Sequence, residues 1–350
     1  MYKKIFMGIA AAAALTLVSC SSDDLNSLSD NSSKNEAISF DGYLGRSAVS
    51  VNGSRGSELK IDDLKKPTEG FGVFGNYKKD DGTEFGSNWF DNVQVKYSSK
   101  DIKWTYSPLM YWLPQGHIDF LAYAPYDSKY DKIVTNDNQK LDFTVSSTIT
   151  AQKDLLWANA TNQTKANKPV TFTFKHALSR LGYTVKLKEA YSDATIKLKK
   201  ITLAGSEDGT KEAFYTTGTI DLSKTSSDLW TISTPDAKQK FDWFSGTQEL
   251  AITDYKNPDA NYLFVIPQNF SASATDKLYV IVEYTIEGYK GVTTPMTNTV
   301  RKQLEKNFLQ GKAYTINLTI GLTPIEFDAD VTPWTDTDNP NTDIDIKTWE

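Results

Sequence analysis

Most of the chain alternates apolar and polar residues with a period of two, which is the pattern of β-strands with one buried face. Such alternation is typical of antiparallel sheets covered on one side, because strands of parallel sheets are buried on both faces and have unbroken apolar runs. The clearest alternating runs are residues 170–178, 183–187, 278–286 and 314–322. The pattern therefore predicts an all-β fold, with sandwiches as the favoured architecture.

Dipeptides that end in glycine separate the alternating runs and predict turns between strands. They are Asp41-Gly42, Asn52-Gly53, Asp81-Gly82, Asp208-Gly209, Ser245-Gly246 and Glu287-Gly288. Helical patterns are scarce. The best helical candidate, residues 299–309, places Val300, Leu304 and Phe308 on one stripe before Gly311, and it is predicted to be a helix or a long loop.

The length of the chain suggests two domains of ordinary size after an N-terminal signal. We predict an N-terminal sandwich over residues 38–189, a C-terminal sandwich over residues 190–334 and a tail over residues 335–350. Predicted strands of the first sandwich are 71–74, 93–95, 118–124, 141–145 and 171–187; those of the second are 196–203, 219–222, 230–232, 250–252, 263–266, 278–286 and 314–322.

The first 19 residues have the order of a secretory signal peptide, with a basic start at Lys3 and Lys4 and an apolar stretch at 5–18. This stretch is shorter than the ~20 residues that a membrane-spanning helix needs. Its end resembles a bacterial lipobox, and the resemblance implies that Cys20 becomes the acylated first residue of the mature chain. A membrane anchor and a cleaved signal without lipid are the alternatives.

Residues 20–37 are mostly Ser, Asp and Asn, so they bury too little apolar surface to fold and are predicted to be a flexible tether. The acidic segment 21–24 looks like the export tag of surface lipoproteins in the Bacteroides group, or it is an ordinary solvated linker. Because Cys20 is the only cysteine, no disulfide can form within the acylated mature chain.

Charge and motifs exclude several function classes. The net charge is −6, and 38 basic residues are scattered among 44 acidic ones, which argues against nucleic-acid binding. Of the two histidines, His176 shares a strand face with Phe174 and Leu178 and is predicted to be buried. Catalytic motifs and calcium-binding spacing are missing, so we predict no catalytic residue, metal or cofactor. An enzyme would require acids that meet in a concave site, which sequence spacing cannot reveal.

Aromatic residues crowd two stretches, around Trp104 and Trp112 and around Trp230 and Trp243. Such residues most often fill sandwich cores, where each buries ~150–250 Å². A flat platform that stacks on sugars is the alternative.

Several motifs in a fixed order resemble the fimbrillin-like proteins of Bacteroidetes, the pilus subunits and surface lipoproteins related to the major and minor fimbriae of Porphyromonas. The motifs are residues 71–75, 104–114, 118–125, 154–158, 170–181, 264–268 and 311–334. Each motif is weak alone, and the ordered set together with a lipobox carries the resemblance. It implies two tandem transthyretin-like Greek-key β-sandwich domains.

The resemblance also implies a fimbrial subunit, or an accessory or tip component, that serves adhesion. In this family a lipoprotein precursor reaches the outer membrane, a trypsin-like protease cuts after an arginine in an early loop, and loss of the first strand opens a groove. A strand of another subunit then fills the groove. The implied partners are other fimbrillin subunits in a homo- or hetero-polymer, the outer membrane through Cys20, and a host or bacterial surface ligand.

Two arginines of this chain, Arg46 and Arg55, are candidates for the cut, although both can equally be ordinary loop residues. In the tail, Ile344 and Ile346 alternate with polar residues and are candidates for a donor strand. The tail can instead complete its own sheet. The alternative function is a monomeric, permanently anchored surface lipoprotein that binds glycan or another outer-membrane protein.

Overall fold

The structure is a computed structural model that describes residues 36–44, 59–66, 68–83, 89–130, 139–225, 228–232, 237–258, 261–322 and 326–333. The chain divides into a short N-terminal unit, residues 1–36, and a large unit, residues 37–350. Among the described residues, no helix is long and apolar enough to cross a membrane.

Strands form nearly all of the regular structure of the large unit, as the alternation predicts. They are β1 (Phe40–Leu44), β2 (Phe71–Lys78), β3 (Phe90–Ser98), β4 (Lys103–Thr105), β5 (His117–Ala124), β6 (Lys140–Thr144), β7 (Leu156–Gln163), β8 (Val170–His176), β9 (Ser179–Leu187), β10 (Thr195–Ala204), β11 (Phe214–Tyr215), β12 (Thr217–Asp221), β13 (Trp230–Ile232), β14 (Lys238–Gln239), β15 (Phe241–Glu249), β16 (Tyr255–Lys256), β17 (Leu263–Val265), β18 (Gln268–Asn269), β19 (Tyr279–Glu287), β20 (Met296–Gln303), β21 (Asn307–Phe308), β22 (Lys312–Ile320) and β23 (Glu326–Pro333). The helical pieces are α1 (Ile61–Leu64) and single 3₁₀ turns at Ser128–Tyr130, Ile149–Ala151 and Tyr289–Gly291. The prediction of an all-β fold is confirmed.

The N-terminal part of the chain builds a seven-stranded sheet in the order β1-β8-β7-β5-β2-β3-β4. All of its pairs are antiparallel except β1 and β8, which run parallel. The first described strand, β1, therefore lies at one edge of this sheet, beside β8, the strand of the sheet that comes last in the sequence.

The C-terminal part contributes a four-stranded sheet, β15-β10-β19-β20, and a five-stranded sheet, β16-β9-β22-β23, in which β17 also pairs with β9. A three-stranded sheet, β13-β12-β6, joins strands from both parts of the chain. The chain passes from one sheet to another between β8 and β9. Strand β8 pairs with β1 and β7 in the seven-stranded sheet, whereas β9 pairs with β22 and β17 in the five-stranded sheet. The domain division at residue 189 and the tandem Greek-key arrangement stay predictions.

Three buried apolar clusters hold the sheets together. One lies under the seven-stranded sheet and is rich in phenylalanine, and a second lies between the four-stranded and five-stranded sheets. The third combines residues from both parts of the chain, among them Tyr123, Trp157, Ile220 and Phe264. This shared cluster packs the two parts against each other.

The strongest alternating runs are strands in the structure. In β8, Val170, Phe172, Phe174 and His176 are buried while the residues between them are exposed. The run at 183–187 lies in β9, and most of the runs at 278–286 and 314–322 lie in β19 and β22.

The predicted helix or loop at 299–309 is wrong. Residues up to Gln303 belong to β20, which pairs antiparallel with β19 and places Val300 opposite Val282. The helical spacing of apolar residues is incidental there, since Leu304 is buried beyond the end of β20 and Phe308 belongs to β21. The predicted strand at 250–252 is also wrong, because β15 ends at Glu249.

Two of the predicted turns lie inside strands. Asp41-Gly42 falls in β1, and Ser245-Gly246 falls in β15 at a register shift against β10. Gly82, Gly209 and Gly288 have φ values of 81°, 74° and 79°, as turn glycines do. The strand position of Gly42 has a packing reason that bears on the functional site.

Candidate functional site: an edge strand and the groove that it fills

The candidate site is the β1 segment, residues 37–44, which lies between β8 and the loop that follows β4. Five residues of β1 pair with β8, from Phe40 opposite Val170 to Leu44 opposite Phe174. On the other side, the Ile38 N–H donates to the Met110 carbonyl at 2.8 Å. Main-chain hydrogen bonds therefore hold β1 on its β8 side and the two residues before it, Ala37 and Ile38, on the other side.

Side chains of the β1 segment alternate between the core and the surface. Ile38, Phe40 and Gly42 are buried, whereas Asp41 and Tyr43 are exposed. The Ile38 and Phe40 side chains are 1% and 4% exposed, although they belong to an edge segment at the start of the fold. The segment thus inserts two large apolar side chains into the core of the seven-stranded sheet.

The Phe40 ring is surrounded by other aromatic rings. Its centroid lies 5.5 Å from Phe90, 5.3 Å from Phe120 and 5.7 Å from Phe172. Tyr106 adds a fourth ring at 5.3 Å. The contacts with Phe90 and Phe120 are edge-to-face, a favoured geometry for aromatic pairs. Departure of the β1 segment would expose the pocket lined by these four rings together with the positions of Ile38 and Gly42 on either side of it, and we call the whole the β1 groove.

Tyr106 also fixes the backbone of the segment. Its hydroxyl donates to the Ile38 carbonyl at 2.8 Å, and the Met110 N–H donates back to the same hydroxyl at 3.3 Å. Tyrosine keeps its proton at neutral pH, and burial raises the pKa of Tyr106 further, to about 12. The donor to Ile38 is therefore present under all physiological conditions.

The chain is anchored again at Leu59, the first described residue after β1. The Leu59 N–H donates to Asp154 Oδ2 at 3.2 Å. Asp154 is held in turn by His176, whose Nδ1 lies 2.8 Å from the same oxygen. Both side chains are buried, so His176 is a core residue, as its strand face predicts. Leu44 and Leu59 are thus attached to the fold at either end of the segment that contains Arg46 and Arg55.

The predicted site residues themselves, Cys20, Arg46, Arg55, Ile344 and Ile346, lie outside the described residues. Their roles stay predictions. The last described strand, β23, pairs antiparallel with β22. Another arginine, Arg180, lies in β9 with its guanidinium 4.4 Å from the centre of the Tyr262 ring.

Sequence reasoning missed β1 and its core residues Phe40 and Gly42. The available signal was the alternation of Ile38 and Phe40, but Asp41-Gly42 was assigned to a turn. A strand of five residues with a glycine at an inward position gives a weak periodic signal, so the turn propensity prevailed.

The aromatic clusters belong mainly to the core rather than to a sugar-binding platform. Trp104, Trp112 and Trp243 are buried, and Trp104 packs edge-on against Phe71 at 4.9 Å. Trp230 is half-buried and donates from Nε1 to the Ala177 carbonyl at 2.7 Å. In the described part of the chain, no three His, Cys, Asp or Glu residues lie together so as to hold a metal ion.

Comparisons with solved structures identify proteins of the same fold. A fimbrial protein from Bacteroides vulgatus superposes with a TM-score of 0.62 at 23% identity, over 86% of this chain and 100% of that one. A putative cell adhesion protein from Bacteroides uniformis gives a TM-score of 0.50 at 16% identity, over 87% of this chain and 100% of that one. Another from Bacteroides ovatus gives 0.50 at 15% identity, over 88% and 100%.

None of the curated proteins compared with the chain matches it. The family model described as fimbrillin-like matches residues 62–334, which is most of the chain. The match starts just after the Leu59 anchor and includes β2 to β23 but not β1, and the resemblance drawn from the ordered motifs is confirmed. The chain belongs to the fimbrillin-like family.

Proposed function

We propose that the protein is a structural, non-enzymatic subunit of a fimbria that assembles by exchange of the β1 strand. The observation that carries the proposal is the position of β1 at the edge of its sheet, with Ile38 and Phe40 inserted in the core. Because β1 is the first described strand, the segment at 45–58 is its only covalent link to the sheet that it completes. A cut in that segment turns β1 into a separate peptide held by non-covalent contacts.

Loss of this peptide would leave a site suited to another strand. The edge of β8 would present unpaired N–H and C=O groups, and the β1 groove would present apolar pockets. Main-chain hydrogen bonds then supply affinity for an incoming strand, while the pockets select its alternate side chains. In this proposal the donor comes from another fimbrillin subunit, and Ile344 and Ile346 of the tail are the candidates when the donor is a second copy.

We assign the cut to Arg55 in preference to Arg46. A trypsin-like protease binds several residues before the cut as an extended strand. For a cut after Arg46 these residues include Tyr43 and Leu44, which are paired with Thr173 and Phe174 of β8. The end of β1 must therefore unpair before the protease can bind. Arg55 lies well beyond Leu44, and a cut there requires no such opening.

Export fits the same account. The signal peptide and Cys20 would carry the precursor to the outer membrane as a lipoprotein, with the acidic tether leading to the surface. Release of residues before the cut would separate the folded subunit from its lipid, so that it can join a fimbrium that serves adhesion.

A disulfide that locks β1 to β8 tests whether strand release is required. Tyr43 and Thr173 are paired across the two strands and are both exposed. Neighbouring strands lie within the Cα separation that a disulfide spans. In a mature chain with Cys20→Ser, the double variant Tyr43→Cys/Thr173→Cys should be cut by an arginine-specific protease but should not polymerise until a reductant is added.

Size-exclusion chromatography and peptide mass mapping measure assembly and cutting separately. Each single cysteine variant is the matched control and should assemble with or without reductant. Assembly of the oxidised, fully cross-linked double variant at the rate of the reduced one would refute strand exchange at β1.

A further inference from the structure

We propose that Gly42 marks a size limit in the β1 groove, so that a strand replacing β1 must carry glycine at the corresponding position. The inference rests on the strand exchange proposed above, and it specifies which donor strands the groove accepts.

The space over Gly42 is too small for an ordinary side chain. A Cβ atom built on Gly42 would lie 3.2 Å from Phe174 Cε2 and 3.4 Å from Phe71 Cε1. A methyl group fits only if a ring shifts by a few tenths of an ångström, and a larger side chain adds carbons to a site where the Cβ is already in tight contact. Gly42 is in extended strand conformation, so the glycine serves packing and not an unusual backbone angle.

The two rings have little freedom to move away. Phe71 and Phe174 are themselves in edge-to-face contact at 5.2 Å, and both are fully buried. Behind them, Phe71 packs on Trp104 at 4.9 Å and on Phe172 at 5.8 Å. Interiors packed in this way resist added volume, because the neighbours would be forced out of their rotamers.

The preceding inward positions of the groove are large. Ile38 and Phe40 fill them completely, and each is almost fully buried. The groove therefore has a profile of large, large and glycine at alternate positions. This profile selects a strand with two apolar side chains followed two residues later by glycine.

The chain's own tail fits this profile poorly. When Ile344 and Ile346 occupy the two large positions, the third position receives Thr348 in the parallel direction or Thr342 in the antiparallel direction. Threonine is branched at Cβ and would press on both rings. We infer that the groove favours a donor strand with glycine from a different fimbrillin subunit over the tail of a second copy.

Peptide exchange into the cut protein measures the size limit. The mature chain with Cys20→Ser is cut by an arginine-specific protease, and synthetic peptides of residues 36–44 compete with the retained β1 fragment. Relative to the wild-type peptide, Gly42→Ala should bind about tenfold more weakly and Gly42→Val about a hundredfold more weakly. The control peptide Tyr43→Val changes an exposed residue and should bind within about threefold.

The outcomes separate the size limit from strand exchange. Wild-type and Gly42→Val peptides that bind within about threefold of each other would overturn the size limit while leaving exchange intact. Failure of every peptide to bind would refute exchange itself. In that case the uncut chain still tests the packing: Gly42→Val should lower the urea midpoint and Tyr43→Val should not, and equal midpoints would overturn the limit.

Discussion

The double variant Arg46→Ala/Arg55→Ala is expected to abolish assembly of the mature chain. Without an arginine in the segment after β1, a protease specific for arginine has no cut that frees the strand, since Arg180 lies in β9 and Arg301 in β20. The β1 groove then stays occupied. After protease treatment the variant should elute as a monomer, whereas the unaltered chain should form polymers that light scattering detects.

Single variants show how much each arginine contributes to the rate of assembly. Arg55→Ala should slow assembly strongly, because the remaining cut after Arg46 requires the paired end of β1 to open. Arg46→Ala should assemble at nearly the normal rate. Arg301→Ala, which changes an exposed residue of β20, is the matched control. Polymers of the double variant that form as fast as those of the unaltered chain would contradict the proposed activation.

Phe40→Ala is expected to destabilise the uncut chain and to leave the assembled subunit unchanged. Truncation of a buried phenylalanine costs about 3–5 kcal/mol of unfolding free energy. The contacts with Phe90, Tyr106, Phe120 and Phe172 place Phe40 at the upper part of this range. After the cut, β1 is replaced by a donor strand, so residue 40 no longer belongs to the folded subunit.

Urea unfolding measures the unfolding free energy of the uncut chain and of the subunit in purified polymers. Tyr43→Ala, on the exposed face of the same strand, is the control and should change the unfolding free energy by about 0.5 kcal/mol or less. A loss of several kcal/mol in both states would mean that β1 stays in the polymer. No loss in the uncut chain would contradict the packing of Phe40.

The sequence predicts the strands with a buried face better than the strands at the sheet edges. Strands such as β8 and β22 bury every second residue, so their alternation predicts them directly. The sequence predicts a helix or a long loop at 299–309, where β20 lies, because an edge strand with mostly polar side chains has weak periodicity. Pairing with β19 decides its conformation, and a single segment contains no information on its partner.

The functional site shows the same limit. The resemblance to fimbrillins directed attention to the arginines, but it did not reveal β1, because Asp41-Gly42 has the composition of a turn. Gly42 is required by the rings of Phe71 and Phe174, which are distant in sequence and meet only in the folded sheet. Parallel pairing of β1 with β8 joins residues 130 positions apart, from Phe40 with Val170 onward. Such long-range contacts cannot be deduced from local propensity.

The N-terminal residue of the protein in polymers recovered from the cell surface tests the central claim most directly. Mass spectrometry of the intact chain and of its peptides identifies that residue. The account predicts a start at Gly56, after the cut at Arg55, or at Ser47 after the cut at Arg46, with the β1 peptide absent from the polymer. Acylated Cys20 at the start of every polymerised chain would show that β1 is retained, and would contradict assembly by strand exchange at this site.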